Sequence, residues 1–143
     1  MGTEKSLSII KPEAVERRLI GEIVRRLEGT GLRIVAAKLL HLDLEKARAF
    51  YAVHRERPFY SSLTEYIASG PIFVSVLEGE NAISKNREMM GATDPSKAAE
   101  GTIRCQWGTD VEKNAVHGSD APETAAWEIS FFFQPEEIHG IHK

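Results

Sequence analysis

The stretch Ile72-Phe-Val-Ser-Val-Leu77 decides the fold, because every residue in it except Ser75 is apolar and no charge interrupts it. A strand that is apolar on both of its alternating faces is typical of a sheet covered on both sides. Gly70-Pro71 precedes the strand as a turn signal, and Asn81 follows it at the start of a predicted short helix that Gly91 ends. We therefore predict an inner strand with helices packed over it.

The amino-terminal segments show a strand and then a helix. Ser6–Ile10 is predicted as a strand that stops at Pro12, whose nitrogen carries no hydrogen for a ladder. Apolar residues then recur at helical spacing from Ile20 to Leu27, and Gly29 lies where that helix should end. A strand followed by an amphipathic helix is the first half of a layered α/β arrangement.

The middle of the chain continues the alternation. Arg33–Leu42 is predicted as a second strand, and Asp43 as the cap of a helix that runs through Tyr51. Ser62-Leu-Thr-Glu65 has the spacing of a capping box, which predicts a helix start there. The polar segment from Gly91 to Gly118 shows no clear element, and such a stretch in a compact domain is more often functional than idle.

A last helix is predicted from the pattern Asp120-Ala-Pro-Glu123, which is typical of a helix start. Its apolar stripe should be Ala125, Ile129, Phe132 and Phe133. About four strands alternating with helices favour an α/β or α+β sandwich. The order of the strands in the sheet does not follow from this pattern.

Length and composition exclude several classes of protein. The chain has 143 residues and 42% hydrophobic residues, which favours one domain spanning 1–143. The formal net charge of −3 and pI near 6.0 do not favour a dedicated nucleic-acid binder. No stretch is apolar for long enough to predict a membrane span. The single cysteine, Cys105, excludes an internal disulfide and fits a reducing compartment such as the cytoplasm.

Several common nucleotide and metal motifs are missing from the sequence. There is no phosphate loop of the Gly-x-x-x-x-Gly-Lys-Ser/Thr type and no protein-kinase signature. Gly29-Thr-Gly31 lacks the third glycine of a dinucleotide fingerprint and precedes a strand, not a helix. One cysteine cannot supply the Cys/His spacing of a zinc site.

The run Asn114-Ala-Val-His117-Gly-Ser-Asp120 is the strongest candidate for a reactive centre. His117 lies just ahead of a predicted helix start, where free amide groups favour an anion. Its imidazole could act as a nucleophile or as a general acid or base. Glu128 follows on that helix and could point back to orient the ring. Taken alone, a histidine before a helix is more often structural than catalytic.

Cationic and aromatic side chains suggest what such a centre could bind. A polyphosphate would suit converging cations, because guanidinium groups match phosphate oxygens. The candidates are Lys11, Arg87 and Arg104, with the hydroxyl of Thr93. Tyr51 and Phe59 flank Arg55-Glu-Arg-Pro58 and could form a platform for a base or simply lie partly buried in a loop.

Together these segments resemble the nucleoside diphosphate kinase family over essentially the whole chain. His117 and its neighbours are similar to the family's active-site signature, and Ser8-Ile-Ile-Lys11-Pro to its first strand and phosphate lysine. Further matching segments are Phe50-Tyr-Ala-Val-His54, Arg57-Pro-Phe59-Tyr, Ser69-Gly-Pro71, Leu77-Glu-Gly-Glu-Asn81-Ala, Gly91-Ala-Thr-Asp-Pro95 and Gly101-Thr-Ile-Arg104. The combination is specific, although no single piece would suffice.

The resemblance implies a fold and a reaction. The fold would be a ferredoxin-like α+β sandwich, a four-stranded antiparallel sheet covered by helices. The reaction would move the γ-phosphoryl group of a nucleoside triphosphate, typically ATP, to another nucleoside or deoxynucleoside diphosphate. It would run by a ping-pong route through a phosphohistidine, which maps onto His117 and its Nδ1 atom.

The resemblance also implies roles for the remaining site residues. Lys11 would serve the γ-phosphate and ribose, and Asn114 would contact the ribose 3′-hydroxyl. Glu128 and Ser119 would orient the imidazole, with Tyr51 supporting the site. Phosphates would be held by Arg87, Thr93 and Arg104, and the base by Phe59, Leu63 and Val111. Stacking tolerates any base, because every base has a π-face.

Magnesium and a homo-oligomer are the other implied partners. Mg²⁺ keeps its waters and binds substrate phosphates with few protein ligands, so we expect it to arrive on the nucleotide and assign no protein ligand. His139 and His142 could suggest a metal pair, but they belong to a predicted terminal tail.

Three features depart from the family pattern. Glu13 stands where Asp or Asn is more usual, Cys105-Gln-Trp107 replaces small and acidic residues, and the tail Ile138–Lys143 is unfamiliar. These departures bear on subunit contacts and leave the expected catalytic set intact.

Rival hypotheses make different use of the same residues. A cysteine hydrolase would pair Cys105 with His117, although a small buried thiol explains Cys105 more simply. A binding module would keep the fold without the chemistry, yet His117 and its cations are all present. Met1–Ser6 fits the loose myristoylation pattern but has no second anchoring signal.

Overall fold

The computed structural model describes residues 3–140 of the chain. The four strands are β1 Thr3–Ile10, β2 Arg33–Leu40, β3 Ile72–Glu80 and β4 Val116–Gly118. The helices are α1 Pro12–Glu16, α2 Ile20–Glu28, α3 Leu44–Phe50, α4 Tyr60–Ile67, α5 Ala82–Met90, α6 Ile103–Trp107 and α7 Pro122–Phe132. Short 3₁₀ turns at Ala52–His54, Pro95–Lys97 and Pro135–Glu137 complete the described elements.

The strands form one antiparallel sheet in the order β2-β3-β1-β4. Strands β3 and β1 lie in the middle, and β2 and β4 lie at the edges. This is the ferredoxin-like α+β arrangement that the family resemblance predicted. β4 is only three residues long and pairs His117 with Ile9 of β1.

The inner strand β3 is buried on both faces, as its apolar run predicted. Ile72, Val74 and Val76 belong to one core cluster, which includes residues of α3, α4 and α7. Leu77 belongs to a second cluster, which includes residues of α1, α2 and α6. Because successive side chains of a strand point to opposite faces, β3 contributes to two hydrophobic cores, one on each side of the sheet.

The helix ends follow the sequence in most places. The Asp43 side chain accepts a 2.7 Å hydrogen bond from the Lys46 amide and caps α3, as predicted. Helix α7 begins at Pro122 and buries the predicted stripe of Ala125, Ile129, Phe132 and, at its end, Phe133. This packing brings α7 against β1, and Glu128 of α7 against His117 of β4.

The capping-box prediction at Ser62 was wrong. Helical hydrogen bonding already begins at Phe59, whose carbonyl accepts from the Leu63 amide at 2.9 Å, so Ser62 lies inside α4. Its hydroxyl donates instead to Glu112 Oε1 at 2.9 Å. A Ser-x-x-Glu pattern marks a helix start only where the preceding backbone is not already helical.

The polar segment after Gly91 contains elements that periodicity did not predict. Helix α6 and strand β4 both lie in it, and α1 follows β1 directly although the sequence suggested only a stop at Pro12. All three are five residues or shorter, which is too short for a periodic pattern to develop. Between residues 3 and 140, no helix is both long and apolar enough to cross a membrane.

We expect the Val74→Ala change to lower the free energy of unfolding by about 2 to 3 kcal/mol, because it removes two buried carbon atoms and leaves a cavity. The Val74 side chain is fully buried, whereas Val53 is 85% exposed. Urea denaturation of Val74→Ala beside the matched Val53→Ala variant measures the difference. Equal losses in the two variants would contradict this account of the core.

Candidate active site

His117 lies at the edge of the sheet, opposite Ile9, and its side chain is about one-fifth exposed. Its ring contacts two aromatic rings from the end of α3 edge-on. The ring centroids lie 5.6 Å from Phe50 and 6.2 Å from Tyr51. Burial, and then the charge of Glu128, raise the pKa of Tyr51, so its phenol stays protonated. The imidazole thus rests against an apolar wall and keeps one side open.

A chain of hydrogen bonds fixes the orientation of the imidazole. The Leu7 amide donates to Ser119 Oγ at 3.1 Å, and the Ser119 hydroxyl donates to Glu128 Oε1 at 2.7 Å. Both Glu128 oxygens lie 3.2 Å from His117 Nε2. An ionised carboxylate only accepts hydrogen bonds, so Nε2 carries the proton and Nδ1 of the neutral ring keeps its lone pair.

Lys11 lies at the end of β1, buried beside the same edge of the sheet. Its amide donates to the Ala115 carbonyl at 2.8 Å. Its Nζ atom donates to Asn114 Oδ1 at 2.8 Å and to the Glu112 carbonyl at 3.2 Å. Burial, and then the positive charge of Arg104, lower the pKa of Lys11 to about 8. An anion placed here would favour the charged ammonium strongly.

The Asn114 side chain joins three segments of the site. Its Oδ1 atom accepts from Lys11, while Nδ2 donates to the carbonyls of Thr93 at 2.9 Å and Val111 at 3.0 Å. The side chain is almost completely buried. Its amide group therefore ties the end of β1 to the loops that precede α6 and β4.

Arg104 supplies a second buried cation. Its terminal nitrogens donate to the Gly91 carbonyl at 3.0 Å and the Val116 carbonyl at 2.8 Å, and each nitrogen has a second hydrogen to offer. Burial, and then the charge of Arg87 on α5, lower the pKa of Arg104 to about 10. Arg87 itself is exposed. Like charges this close create a positive potential that suits a polyphosphate.

Gly118 allows α5 to approach the site closely. A Cβ atom at Gly118 would collide with the Asn86 and Met90 side chains of α5. Helix α5 therefore packs directly against the backbone of Gly118. The contact matters for the site because α5 carries Arg87.

The residues expected to bind a base lie on α4 and on the loop before β4. Phe59 and Val111 are 44% and 59% exposed, and Leu63 is partly buried against the core. The Ser62–Glu112 hydrogen bond holds α4 against that loop. Phe59 also contacts the His54 ring, with centroids 5.6 Å apart. Exposed apolar side chains in this position could stack on a flat ligand.

Three acidic residues contribute to the site without having been predicted. Glu112 connects to Lys11 and α4, and Asp110 shapes its loop by accepting the Glu112 and Lys113 amides at 3.0 and 2.8 Å. The Asp-x-Glu-Lys pattern could have indicated that turn, since Asp often accepts amides two or three residues on. Glu13, noted only as unusual, contacts the Ala115 amide.

The unusual residues after Arg104 contact helix α2. Arg26 lies over the Trp107 ring with its guanidinium carbon 4.9 Å from the ring centroid, and it also donates to Gln106. Cys105 is exposed on α6, so the expectation of a buried thiol was wrong. A five-residue helix has too little surface to bury every position. Met1, Gly2 and residues 141–143, including His142, lie outside the described residues.

Chemically, the site combines an oriented imidazole with two buried cations. His117 offers a lone pair on Nδ1, Glu128 can balance a positive charge on the ring, and Lys11 with Arg104 can hold negative oxygens. Within residues 3–140, no group of three or more His, Cys, Asp or Glu side chains could hold a metal ion. Such an arrangement suits transfer of a charged group to and from the imidazole.

Comparison with known proteins gives a consistent result. The family model for nucleoside diphosphate kinase matches residues 4–138. The nucleoside diphosphate kinase of Desulfatibacillum aliphaticivorans is 64% identical over 96% of this chain and 99% of its own length. That of Francisella philomiragia is 57% identical over 98% of this chain and the whole of its own.

Solved structures agree with the sequence matches. The Aquifex aeolicus nucleoside diphosphate kinase superposes with a TM-score of 0.93 at 47% identity, covering 96% of this chain and 99% of that one. A halophilic nucleoside diphosphate kinase from Halobacterium salinarum, solved in complex with CDP, gives 0.94 at 41% identity, covering 99% and 95%. The chain therefore belongs to the nucleoside diphosphate kinase family, enzymes that pass a phosphoryl group from nucleoside triphosphates to nucleoside diphosphates.

Proposed function

We propose that His117 is the residue that carries the phosphoryl group, and that Nδ1 is the accepting atom. The observation that carries this proposal is the contact of Nε2 with both oxygens of Glu128, because it leaves the Nδ1 lone pair uncommitted to that carboxylate. The buried cations Lys11 and Arg104 support it, since they create a positive site for phosphate oxygens. Residues 1–143 would form one catalytic domain.

In the first half-reaction, the Nδ1 lone pair attacks the γ-phosphorus of a nucleoside triphosphate. The bond from that phosphorus to the β–γ bridging oxygen breaks, and the nucleoside diphosphate leaves with the electron pair. The ring then carries the phosphoryl group on Nδ1, a proton on Nε2 and a positive charge that Glu128 balances. Ser119 and Tyr51 keep Glu128 and the ring in place.

In the second half-reaction, a terminal oxygen of another nucleoside diphosphate attacks the phosphorus on Nδ1. The nitrogen–phosphorus bond breaks, and its electrons return to Nδ1 as the original lone pair. The neutral ring with its Nε2 proton is thereby restored without a net proton transfer. Because both halves use one site, the same residues bind the donor and the acceptor.

The nucleotide would lie across the loops tied together by Asn114. Lys11, Arg87, Thr93 and Arg104 would hold the phosphates, and Lys11 with Asn114 would reach the ribose and its 3′-hydroxyl. Asn114 Oδ1 is engaged by Lys11 in the free enzyme, so ribose binding would share or displace that hydrogen bond. The base would stack on Phe59, with Leu63 and Val111 beside it.

Magnesium enters this proposal as part of the substrate. The residues around the phosphate site are mainly cationic, which suits phosphate oxygens and not a divalent ion held by the protein. Mg²⁺ would therefore be coordinated by the nucleotide phosphates and water, and would offset phosphate charge during transfer.

We also propose that the enzyme is a cytoplasmic homo-oligomer. The single thiol of Cys105 is free and exposed, which fits a reducing compartment such as the cytoplasm. Leu39 is 61% exposed on the edge strand β2, which offers apolar surface to a second copy. Light scattering on the purified protein measures its mass directly, and a mass of one chain would reject the assembly.

Brief mixing with ATP and magnesium is expected to add one acid-labile phosphoryl group to the protein. Intact-mass spectrometry detects the adduct, and a different nucleoside diphosphate should then discharge it. His117→Ala should take up none, while His41→Ala, which changes an exposed histidine, should behave like wild type. A stable adduct on His117→Ala would overturn the assignment.

The pH dependence of phosphorylation should show the lowered pKa of Lys11. The ammonium is charged below pH 8 and neutral above it, so kcat/KM for the triphosphate should fall about tenfold per pH unit above pH 8. In kcat the fall should move to higher pH, because bound phosphate favours the charged amine.

Two substitutions identify the group responsible for this alkaline fall. Lys11→Arg places a more basic group at this position, so the fall that begins at pH 8 should move to higher pH. Lys113→Arg changes an exposed lysine nearby and should keep it. An unchanged pH profile in Lys11→Arg would assign the fall to another group.

A further inference from the structure

Glu13 places a negative charge beside a site that is built for anions. It lies in the first turn of α1, two residues after Lys11, and it is only partly exposed. Burial raises the pKa of Glu13, while the charge of Lys11 and the Ala115 amide oppose that rise. A carboxylate here weakens the attraction of the site for phosphate, so its presence has to be explained by another interaction.

Both oxygens of the Glu13 carboxylate accept hydrogen bonds from distant parts of the chain. Oε2 accepts the Ala115 amide at 3.0 Å, and Oε1 accepts the Tyr66 hydroxyl of α4. A charged acceptor gives stronger hydrogen bonds than a neutral one. Glu13 therefore connects α1, α4 and the segment that leads into β4.

The Ala115 amide belongs to a backbone turn that is strained and needs contacts from other segments to persist. Ala115 has a φ of 76°, in the left-handed region that residues with a side chain rarely adopt. The Val116 amide donates across it to the Asn114 carbonyl at 2.9 Å, which closes a γ-turn. This form of γ-turn is rare and strained, and such backbone persists only where surrounding contacts impose it.

Other segments form hydrogen bonds with both the amide and the carbonyl of Ala115. Glu13 holds the Ala115 amide, and the backbone amide of Lys11 donates to the Ala115 carbonyl at 2.8 Å. His117 follows two residues later in a strand of three residues. A strand that short cannot absorb a change of direction at Ala115, so the turn sets where the imidazole lies.

We propose that Glu13 is a positioning residue for phosphoryl transfer, whose carboxylate holds the Ala115 turn and thereby places His117. The inference rests on the proposed role of His117 as phosphoryl acceptor. Glu13 takes no part in forming or breaking the bonds to phosphorus. It acts only through its hydrogen bond to the Ala115 amide. Its removal should slow phosphoryl transfer without weakening nucleotide affinity.

Single-turnover kinetics test this separation. Glu13→Ala should slow formation of the phosphohistidine by about 100-fold, the loss expected when a reacting atom moves by about 1 Å. Glu13→Gln should lose about tenfold, because its one neutral oxygen replaces two charged acceptors. Affinity for a nucleoside diphosphate, measured by calorimetry, should not fall in either variant, because each removes a negative charge that repels phosphate oxygens.

Three further variants separate positioning from a merely structural role. Glu16→Gln alters an exposed acid on the same helix and should react at the wild-type rate. Tyr66→Phe removes one partner of the carboxylate and should slow transfer by about threefold, a change that a simple helix-stabilising acid would not produce. Glu13→Asp keeps the charge and should recover most of the rate lost in Glu13→Ala.

A spectroscopic signature completes the test. In an NMR spectrum, the Ala115 amide proton, which is hydrogen-bonded to the Glu13 carboxylate, should resonate far downfield in wild type. It should move upfield in Glu13→Gln. Wild-type phosphorylation rates in folded Glu13→Ala and Glu13→Gln would overturn the inference, as would equal losses in rate and affinity. Absence of a phosphoryl group on His117 in the wild type would instead reject the proposed function itself.

Discussion

The pairing of β1 with β4 is the constraint on which the site depends. Antiparallel register sets His117 opposite Ile9, so that Lys11, two residues beyond Ile9, leaves the sheet beside the segment that leads into β4. His117 and the buried amine of Lys11 thereby share one sheet edge although they are far apart in sequence. The remaining cations and the aromatic wall reach this edge on helices that pack against the two faces of the sheet.

The site holds two buried cations that are not paired by a salt bridge with an acidic side chain of residues 3–140. Lys11 and Arg104 are both buried and both lose part of their basicity to burial. The free enzyme bears the cost of holding cations out of water, and a bound polyphosphate removes that cost by pairing with them. In the free enzyme, the Glu112 carbonyl accepts a hydrogen bond from Lys11, and the Gly91 and Val116 carbonyls accept hydrogen bonds from Arg104.

The sequence predicted the three long strands and helices α2, α3, α5 and α7, and it named residues that the structure brings into contact, His117 with Glu128 and Lys11 with Asn114. Those elements are long enough for a period to show, and the motif around His117 is specific. It could not predict α1, α6 or β4, because elements of three to five residues are imposed by neighbours and have no period of their own. It also could not assign Glu13 or Glu112, whose contacts join segments about a hundred residues apart along the chain.

The hydrogen bond from the Leu7 amide to Ser119 spans 112 positions of the sequence. During synthesis on the ribosome, the amino-terminal strand therefore emerges long before its partner at the sheet edge exists. The inner strands can pair early, but the edge that carries His117 forms only when nearly the whole chain has been made. An unfinished chain consequently lacks the strand pairing that places His117 beside the end of β1.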